Sequence, residues 1–566
     1  MTNIKIASLL SSFFAFFVAN YGFSTNLLSE YSHSQKEEIY AAHPLQPVET
    51  FLSYQTAKDL DVSLLAKAID RTKFASGSVE FSRLMQPTDN MKKLERRRQI
   101  LLELLQDDSK LFYEFELALQ QFTNKHEALF ISLLDGNVLP EMSVASQLTT
   151  GIFTGLSSIL SVADSKRHIV QDRVSMKQAR WYSWLNLARG IYIEFAGGLY
   201  LAYLTYGNLN TVAHTIYEVD EFVLRFADAL VAMEKINKII LSSPILAESF
   251  PVFSDFKKIG KKNEHITWTL EKLESRAQAQ DTAWVYWHMK DSIMLYDSIR
   301  NLKNSFAHTL WWVARIDAYM SVIRWIKEKE AKGEDVTFIN FNKNALRPHC
   351  HLQNLTNPTI ANSVGNDFDI DGHAVFTGPH ALGKTSSMRS IAYAHIMAQS
   401  ILVVPAKTAL LVPVSNIKTY FNVGDSNGES SFQAELRHMT ELLSFAEQNK
   451  NKQPMLFLID EPFAKTPSLV GNQLIERFLN KTVDIPNLSM LLSTHLEVPS
   501  RFVDTRRDIM QNLQPEIKKS NETFVTTYKI IPGAADWWFE NKNDQTNAYV
   551  KWLIRKQQDA VELWFN

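Results

Sequence analysis

The chain has 566 residues, of which 45% are hydrophobic, 21% charged and 11% aromatic; it exceeds what one hydrophobic core usually organises and is too apolar for a disordered polymer. Lys and Arg number 59 against 61 Asp and Glu, so bulk charge draws it neither to nucleic acid nor to an anionic membrane, and any DNA contact must be local. A single cysteine, Cys350, excludes an intrachain disulfide framework and a multi-cysteine zinc site, and is expected as a buried or incidental thiol.

In chain order, Lys5 precedes an uncharged, Phe- and Leu-rich run from Ile6 to Phe23. Residues 1–25 therefore have the form of a secretory signal peptide or a short membrane anchor. No A-x-A-like cleavage site is clear, and a buried N-terminal helix is the other reading. Residues 26–60 read as a polar, loop-like linker. From 61 to 335 helical periodicity dominates: Leu64, Leu65 and Ala68 share a face, and Met91, Leu94, Ile100, Leu101, Leu104 and Leu105 form the apolar stripe of an amphipathic helix. The basic residues Lys92, Lys93, Arg96, Arg97 and Arg98 are expected on its solvated face rather than on phosphates. The stretches 148–163 and 190–207 are unusually apolar. The first is short for a span and the second carries Glu194 and paired glycines, so buried helices or an interfacial hairpin are expected in preference to membrane crossings.

At 336 the character changes to short β-rich runs. The strand candidates "HAVFTG", "SILVVPA", "PMLFLID", "LSMLLSTH" and "ETFVTTYKII" alternate with helices to about residue 545, the pattern of an α/β domain with a largely parallel sheet. Residues 546–566 read as a C-terminal helix. The expected fold class is thus multidomain, a long all-α region followed by an α/β domain.

Between the first of these strands and an amphipathic helix lies "FTGPHALGKTSS", which contains G-x-x-x-x-G-K-[ST]. Gly378, Pro379, His380, Ala381, Leu382, Gly383, Lys384, Thr385 and Ser386 are the candidate nucleotide-binding residues. Glycines let backbone N–H groups converge on phosphates, the helix N-terminus adds its positive dipole end, Lys384 reaches the β- and γ-phosphates, and Thr385 offers a hydroxyl to Mg²⁺. The apolar strand "MLFLI" ends in Asp460 and Glu461: Asp460 can hold Mg²⁺, and Glu461 can orient and activate an attacking water. His495 ends the next strand, where it could sense the γ-phosphate. Ser430 starts the helix "SFQAELRHMTELLSFAEQ", where its hydroxyl can cap the helix or meet an anion. If a second subunit presents this helix start to the γ-phosphate, ATP closes a dimer. Export after cleavage of the leader would strand an ATP site where ATP is scarce; anchoring through residues 6–23 with the bulk of the chain on the cytoplasmic face removes that conflict.

These elements, in this order, resemble the C-terminal ATPase of the MutS family of DNA mismatch repair proteins, a branch of the ABC-type ATPases. The family's G-P-N-x-x-G-K-S/T appears as "GPHALGKTS", its "VPA" loop as Val404, Pro405 and Ala406, its S-T-F-x-x-E-M element as "SSFQAEL", its D-E pair as Asp460 and Glu461, and its "THY" as Thr494, His495 and Leu496. Upstream, "LAKAIDRTKFASGSVEFSRLMQPTDNMKKLERRRQILLELLQD" is similar to the start of the family's helical core, and "TFVTTYKIIPGAAD" to the stretch closing the ATPase. The resemblance implies a helical core and lever region over 61–335, a P-loop ABC-type ATPase over 336–545, ATP and Mg²⁺ as ligands, and a homodimer formed through the ATPase domains. Three departures stand out. His380 replaces the family's Asn, "DEPFAKTPS" replaces the D-E-x-G-R-G-T-S run that helps couple two ATP sites, and no Phe-x-Glu wedge occurs at the start. Fewer than about 60 residues precede the core, too few for a mismatch-reading domain of typical size. The expected function is an ATPase that clasps DNA through backbone contacts rather than base edges; the alternative is a membrane-attached, ATP-driven clamp with a protein or lipid partner.

Overall fold

A short run that is apolar along its whole length makes a stable strand only where both faces are covered, the condition met in a parallel sheet flanked by helices. Met455–Asp460 and Leu488–Thr494 approach that condition, being largely apolar and buried almost throughout, and they lie in the interior of the main sheet. The computed structural model describes residues 32–42, 51–106, 110–135, 209–250, 271–273, 295–296, 298–299, 303–421, 430–464, 466–520 and 523–536. The described residues fall into two compact units, within Met1–Leu45, Phe74–Ser76 and Lys110–Ala314, and within Gln46–Lys73, Gly77–Ser109 and Arg315–Asn566.

The first unit is helical. Helices His33–Ala41, Lys110–Gln121, Asn124–Asp135, Leu209–Ser242 and Pro244–Ser249 pack on an aromatic core in which Phe74 meets Phe122 at 5.2 Å, Phe130 meets Phe226 at 5.1 Å and Phe222 meets Tyr296 at 5.3 Å between ring centroids. One charge lies within it. The buried Glu127 carboxylate accepts the backbone N–H and the hydroxyl of Ser76, both at 2.7 Å, and faces Lys36 Nζ at 3.5 Å, so its burial is compensated.

The second unit holds twelve strands: β1 Thr337–Phe338, β2 Asn340–Phe341, β3 His349–Leu355, β4 Asn366–Asp371, β5 His373–Thr377, β6 Val403–Val404, β7 Thr408–Leu411, β8 Asn416–Tyr420, β9 Met455–Asp460, β10 Leu488–Thr494, β11 Met510–Ser520 and β12 Thr523–Pro532. The main sheet has the order β12-β11-β5-β10-β9-β8 and is parallel except for its β11–β12 edge pair. Strands β2, β7, β3 and β4 form a four-stranded sheet, and β1 pairs with β6 alone. Tyr420, Met439, Leu442, Phe457, Ile459, Ile475 and Phe478 belong to one buried cluster between β8–β10 and helices Ser431–Gln448 and Ser468–Thr482.

Helix Lys384–Ala398 is almost wholly buried, which requires polar partners around it. Tyr393 Oη donates to Leu60 O at 2.6 Å, and Gln399 Nε2 donates to Val414 O at 2.7 Å and to Thr88 O at 3.2 Å. Arg97 donates to Ser400 O at 2.7 Å and to Leu84 O at 3.2 Å, placing a cation on carbonyls just past the helix C-terminus, where the dipole favours it. Residues 54–73 and 77–105 thus belong to the same unit as the sheet. Near them Asp317, on helix Lys303–Ala331, accepts from Lys73 N and from Arg324, both at 2.8 Å.

Three expectations are corrected. The basic run 92–98 is not simply a solvated face, because Arg97 is buried and Arg98 donates to Ile339 O at 3.2 Å. The linker read over 26–60 contains helices His33–Ala41 and Tyr54–Asp59; the second is capped by Ser53, whose side chain accepts from Thr56 N. "SILVVPA" does not enter the main sheet: Leu402 has φ 61° and Pro405 lacks an N–H, which limits pairing to Val403 and Val404. Between 61 and 335 every described element is a helix. Residues 6–23, 148–163, 190–207 and 546–566 lie outside the described residues, among which no helix is long and apolar enough to cross a membrane.

Candidate functional site

Apart from Ser430, the sequence-predicted residues gather at the carboxyl ends of β5, β9 and β10, the edge of a parallel sheet at which ligands settle. Strand β5 delivers the chain into the loop 378–383, and helix Lys384–Ala398 leaves it. Gly378 has φ 124°, and a Cβ there would stand 3.1 Å from Pro515 Cδ, so only glycine fits this turn. Gly383, at φ 93°, is the residue before the helix.

Lys384 is 4% exposed, and its Nζ donates to Gly378 O at 2.8 Å and Pro379 O at 2.7 Å. Burial pushes its pKa down to about 8, against the opposing pull of Glu461 and Asp460. Thr385 Oγ1 donates to the Asp460 carboxylate, 3.0 and 3.1 Å from its two oxygens, and Ser493 Oγ donates to the same Oδ1. Burial raises the Asp460 pKa, while these two hydroxyls work in the opposite direction. Pro379 and Leu382 are buried in the loop, whereas His380 and Ala381 are exposed. Ser386 is half-buried in the first helical turn, and its carbonyl accepts from Ser390 Oγ at 2.8 Å.

Glu461 lies just beyond β9 with φ 49°, a left-handed conformation uncommon for a side chain of its kind, and its N–H donates to Ser493 O at 3.0 Å. Its Oε1 lies 2.8 Å from His495 Nε2 and 3.1 Å from His380 Nδ1, and these two nitrogens are 3.1 Å apart. Burial alone would push the Glu461 carboxyl up; the hydrogen bonds of the two imidazoles outweigh it and hold the group well below the usual carboxylate range. Burial lowers the His495 pKa, and its bond to Glu461 offsets part of that.

Ser430 is exposed. Its hydroxyl accepts from Gln433 N at 3.3 Å while Gln433 Oε1 accepts from Ser430 N at 3.3 Å, a reciprocal cap of helix Ser431–Gln448. The structure therefore brings Lys384, Thr385, Asp460, Glu461, His495 and His380 together, and gives Ser430 a separate place at a helix start. Sequence reasoning missed Ser493, although pairing β9 with β10 end to end sets it directly beside Asp460. It also missed Thr466, whose buried hydroxyl bonds Glu435 at 3.1 Å, a contact between residues 31 apart that no local spacing announces. Chemically, the site offers a buried ammonium, a carboxylate with hydroxyl neighbours that suits a hard cation, and an ionised carboxylate between two imidazoles.

The MutS domain V family model matches residues 374–545. The chain is similar to a "DNA mismatch repair protein MutS" of Syntrophomonas wolfei subsp. wolfei, 28% identical over 182 residues that make 31% of this chain and 20% of that protein. It is also similar to an "Endonuclease MutS2" of Streptococcus sanguinis, 26% identical over 42% of this chain and 29% of that protein. A MutS of Clostridium kluyveri is 23% identical over 49% of this chain and 32% of that protein. The matches thus span between a fifth and a third of the relatives' own length.

Replacing Ser493 by Ala takes one hydroxyl from a half-buried carboxylate, and it is expected to destabilise the protein by about 1.5–3 kcal/mol at pH 7, the scale of a hydrogen bond to a charged group. Because the Asp460 pKa is raised, the carboxyl protonates early as pH falls, and the loss should shrink on the acid side. Denaturant unfolding of both proteins at pH 7 and at successively lower pH checks this; a loss that grows with acidity would contradict it.

Proposed function

Because the chain is a member of the MutS family, with that family's domain V at residues 374–545, we propose that it is an ATP-binding and ATP-hydrolysing protein of the mismatch-repair type that dimerises through its ATPase unit and holds DNA. The observation that carries this reading is the convergence of the buried Lys384 ammonium with the Thr385–Asp460 pair at the end of one parallel sheet. The donor set fits Mg²⁺, since Thr385 and Asp460 supply hard oxygens. When bound there, Mg²⁺ neutralises charge on phosphate oxygens. The loop 378–383 cradles the phosphates with backbone N–H groups, its side chains and Ser386 lining the approach. Lys384 supplies charge to the β- and γ-phosphates. Glu461, kept ionised by its two imidazoles, orients the attacking water and accepts its proton; His495 holds that carboxylate and lies where the γ-phosphate would be sensed.

Ser430 acts in this reading across the dimer. Its helix start, exposed and carrying a hydroxyl, meets the γ-phosphate bound by the other subunit, so that ATP joins the two. DNA is the proposed partner, bound at its backbone.

Lys384→Ala is expected to remove ATP binding while the fold, followed by circular dichroism, is retained. Glu461→Gln is expected to bind ATP and Mg²⁺ but hydrolyse about a hundredfold more slowly, the scale for losing a positioned base. Equilibrium nucleotide binding and steady-state turnover separate the two, and unchanged affinity in Lys384→Ala would remove the site assignment.

Mixing inactive Ser430→Arg with inactive Lys384→Ala protein should restore one composite site per mixed dimer and with it partial turnover. A mixture that forms heterodimers yet stays inactive would leave Ser430 as a helix cap only.

Duplex DNA should bind with an affinity that falls linearly in log–log form as salt rises, the mark of phosphate contacts. A mobility-shift series in salt measures the slope, and no shift at low salt would discard the DNA arm of the proposal.

A further inference from the structure

His380, Glu461 and His495, which the nucleotide reading places around the attacking water, also bring three donor atoms face to face. Their three facing atoms, His380 Nδ1, Glu461 Oε1 and His495 Nε2, are separated by 3.1, 2.8 and 3.1 Å. Three donors each about 2.1 Å from one ion stand about 3.0 Å from each other on an octahedral face and about 3.4 Å apart in a tetrahedron, so the trio would close on an ion directly in the first geometry and open by a few tenths of an ångström in the second. The trio therefore has the spacing of a two-histidine, one-carboxylate face before any ion is considered. Hydrogen bonding accounts for it less completely: each imidazole nitrogen carries at most one proton, so the His380–His495 contact and both contacts to one carboxylate oxygen cannot all be well-aligned bonds at once. A cation at the centre would satisfy three lone pairs together.

We propose that His380, Glu461 and His495 form a binding site for a divalent transition-metal ion of the Zn²⁺ class, distinct from the Thr385–Asp460 oxygen pair. Two imidazoles and one carboxylate select borderline ions such as Zn²⁺ over Mg²⁺, which prefers an all-oxygen shell. The elements that carry the ligands are independent and well anchored: His380 is in the loop after β5, Glu461 follows β9, and His495 follows β10. The His380 side chain is 60% exposed, which leaves the outer face open to an entering ion and to water as further ligands. The site exists only because His380 stands in the phosphate loop, and it needs no nucleotide to form.

The test is a calorimetric titration of Zn²⁺ into the full chain, stripped of metal with a chelator and kept in excess Mg²⁺. Other histidines, such as the neighbouring His349 and His351, contribute a background, so the readout is the difference between proteins. The parent should show one class of site that His380→Asn and His495→Ala each weaken by more than about tenfold, since loss of even an outer partner of a metal ligand costs 10–100-fold. Circular dichroism establishes that both variants remain folded, and exposed His380 makes the first the safer of the two. Lys384→Ala, which tests the nucleotide reading, should titrate with Zn²⁺ as the parent does, so either idea can fail without the other. Parent-like titrations in both histidine variants, or an equal loss in Lys384→Ala, would overturn the metal site.

Discussion

The half-buried Asp460 carboxylate lies at the end of strand β9, beside β10, with hydroxyls from two other elements upon it, and the arrangement of the site depends on keeping it there. Ser493 reaches it because β10 runs beside β9 in register, residue against residue. Thr385 reaches it because the loop after β5 turns the helix back over the same sheet edge. A slip of one residue in either strand would turn its side chains to the opposite face, separating the hydroxyls from the carboxylate and leaving a half-buried charge without these donors, at a cost in stability. The parallel order of β5, β10 and β9 is thus held by polar satisfaction at its end as well as by apolar burial along its length.

That edge was largely legible in the sequence, because its signals are local. The glycine spacing, the lysine and threonine after it, and an apolar run ending in two acids each specify a backbone form or a charge within a few residues. The apolar strands β5, β9 and β10 were legible for the same reason. What escaped was relational. Strand β8, "NIKTY", and strand β11, with Pro515 and several charges, are too polar to read as members of a buried sheet; their places come from neighbours that accept their backbone bonds. Arg97 looked like one of five solvated cations, and only the fold reveals carbonyls at Leu84 and Ser400 converging on it. His380 could be placed in the loop from sequence, but its approach to His495, 115 residues away, could not.

The same distinction separates the two ends of the functional reading. Lys384, Thr385 and Asp460 are bonded to one another's surroundings within one unit, so their joint chemistry is a property of a single chain. Ser430 is fastened to its own helix by the cap with Gln433, and a role for it requires a second surface. Thr466 links these regions within the chain: it lies shortly after Glu461, and its hydroxyl holds Glu435 on the helix that Ser430 begins. The segment after Glu461 and the helix that Ser430 caps are therefore tied by a buried hydrogen bond.

The burial of Lys384 has an electrochemical consequence. With its pKa lowered to about 8, this amine is part-neutral under mildly alkaline conditions in which an ordinary lysine is still a full cation. An anion on the loop, as proposed above, would favour the charged form and draw the pKa back up. An anion bound above about pH 8 would then take up part of a proton from the buffer, whereas near pH 6 the proton is already in place. Phosphate binding of the kind proposed above would in that sense be proton-coupled, and its grip would weaken as the Lys384 ammonium gives up its proton.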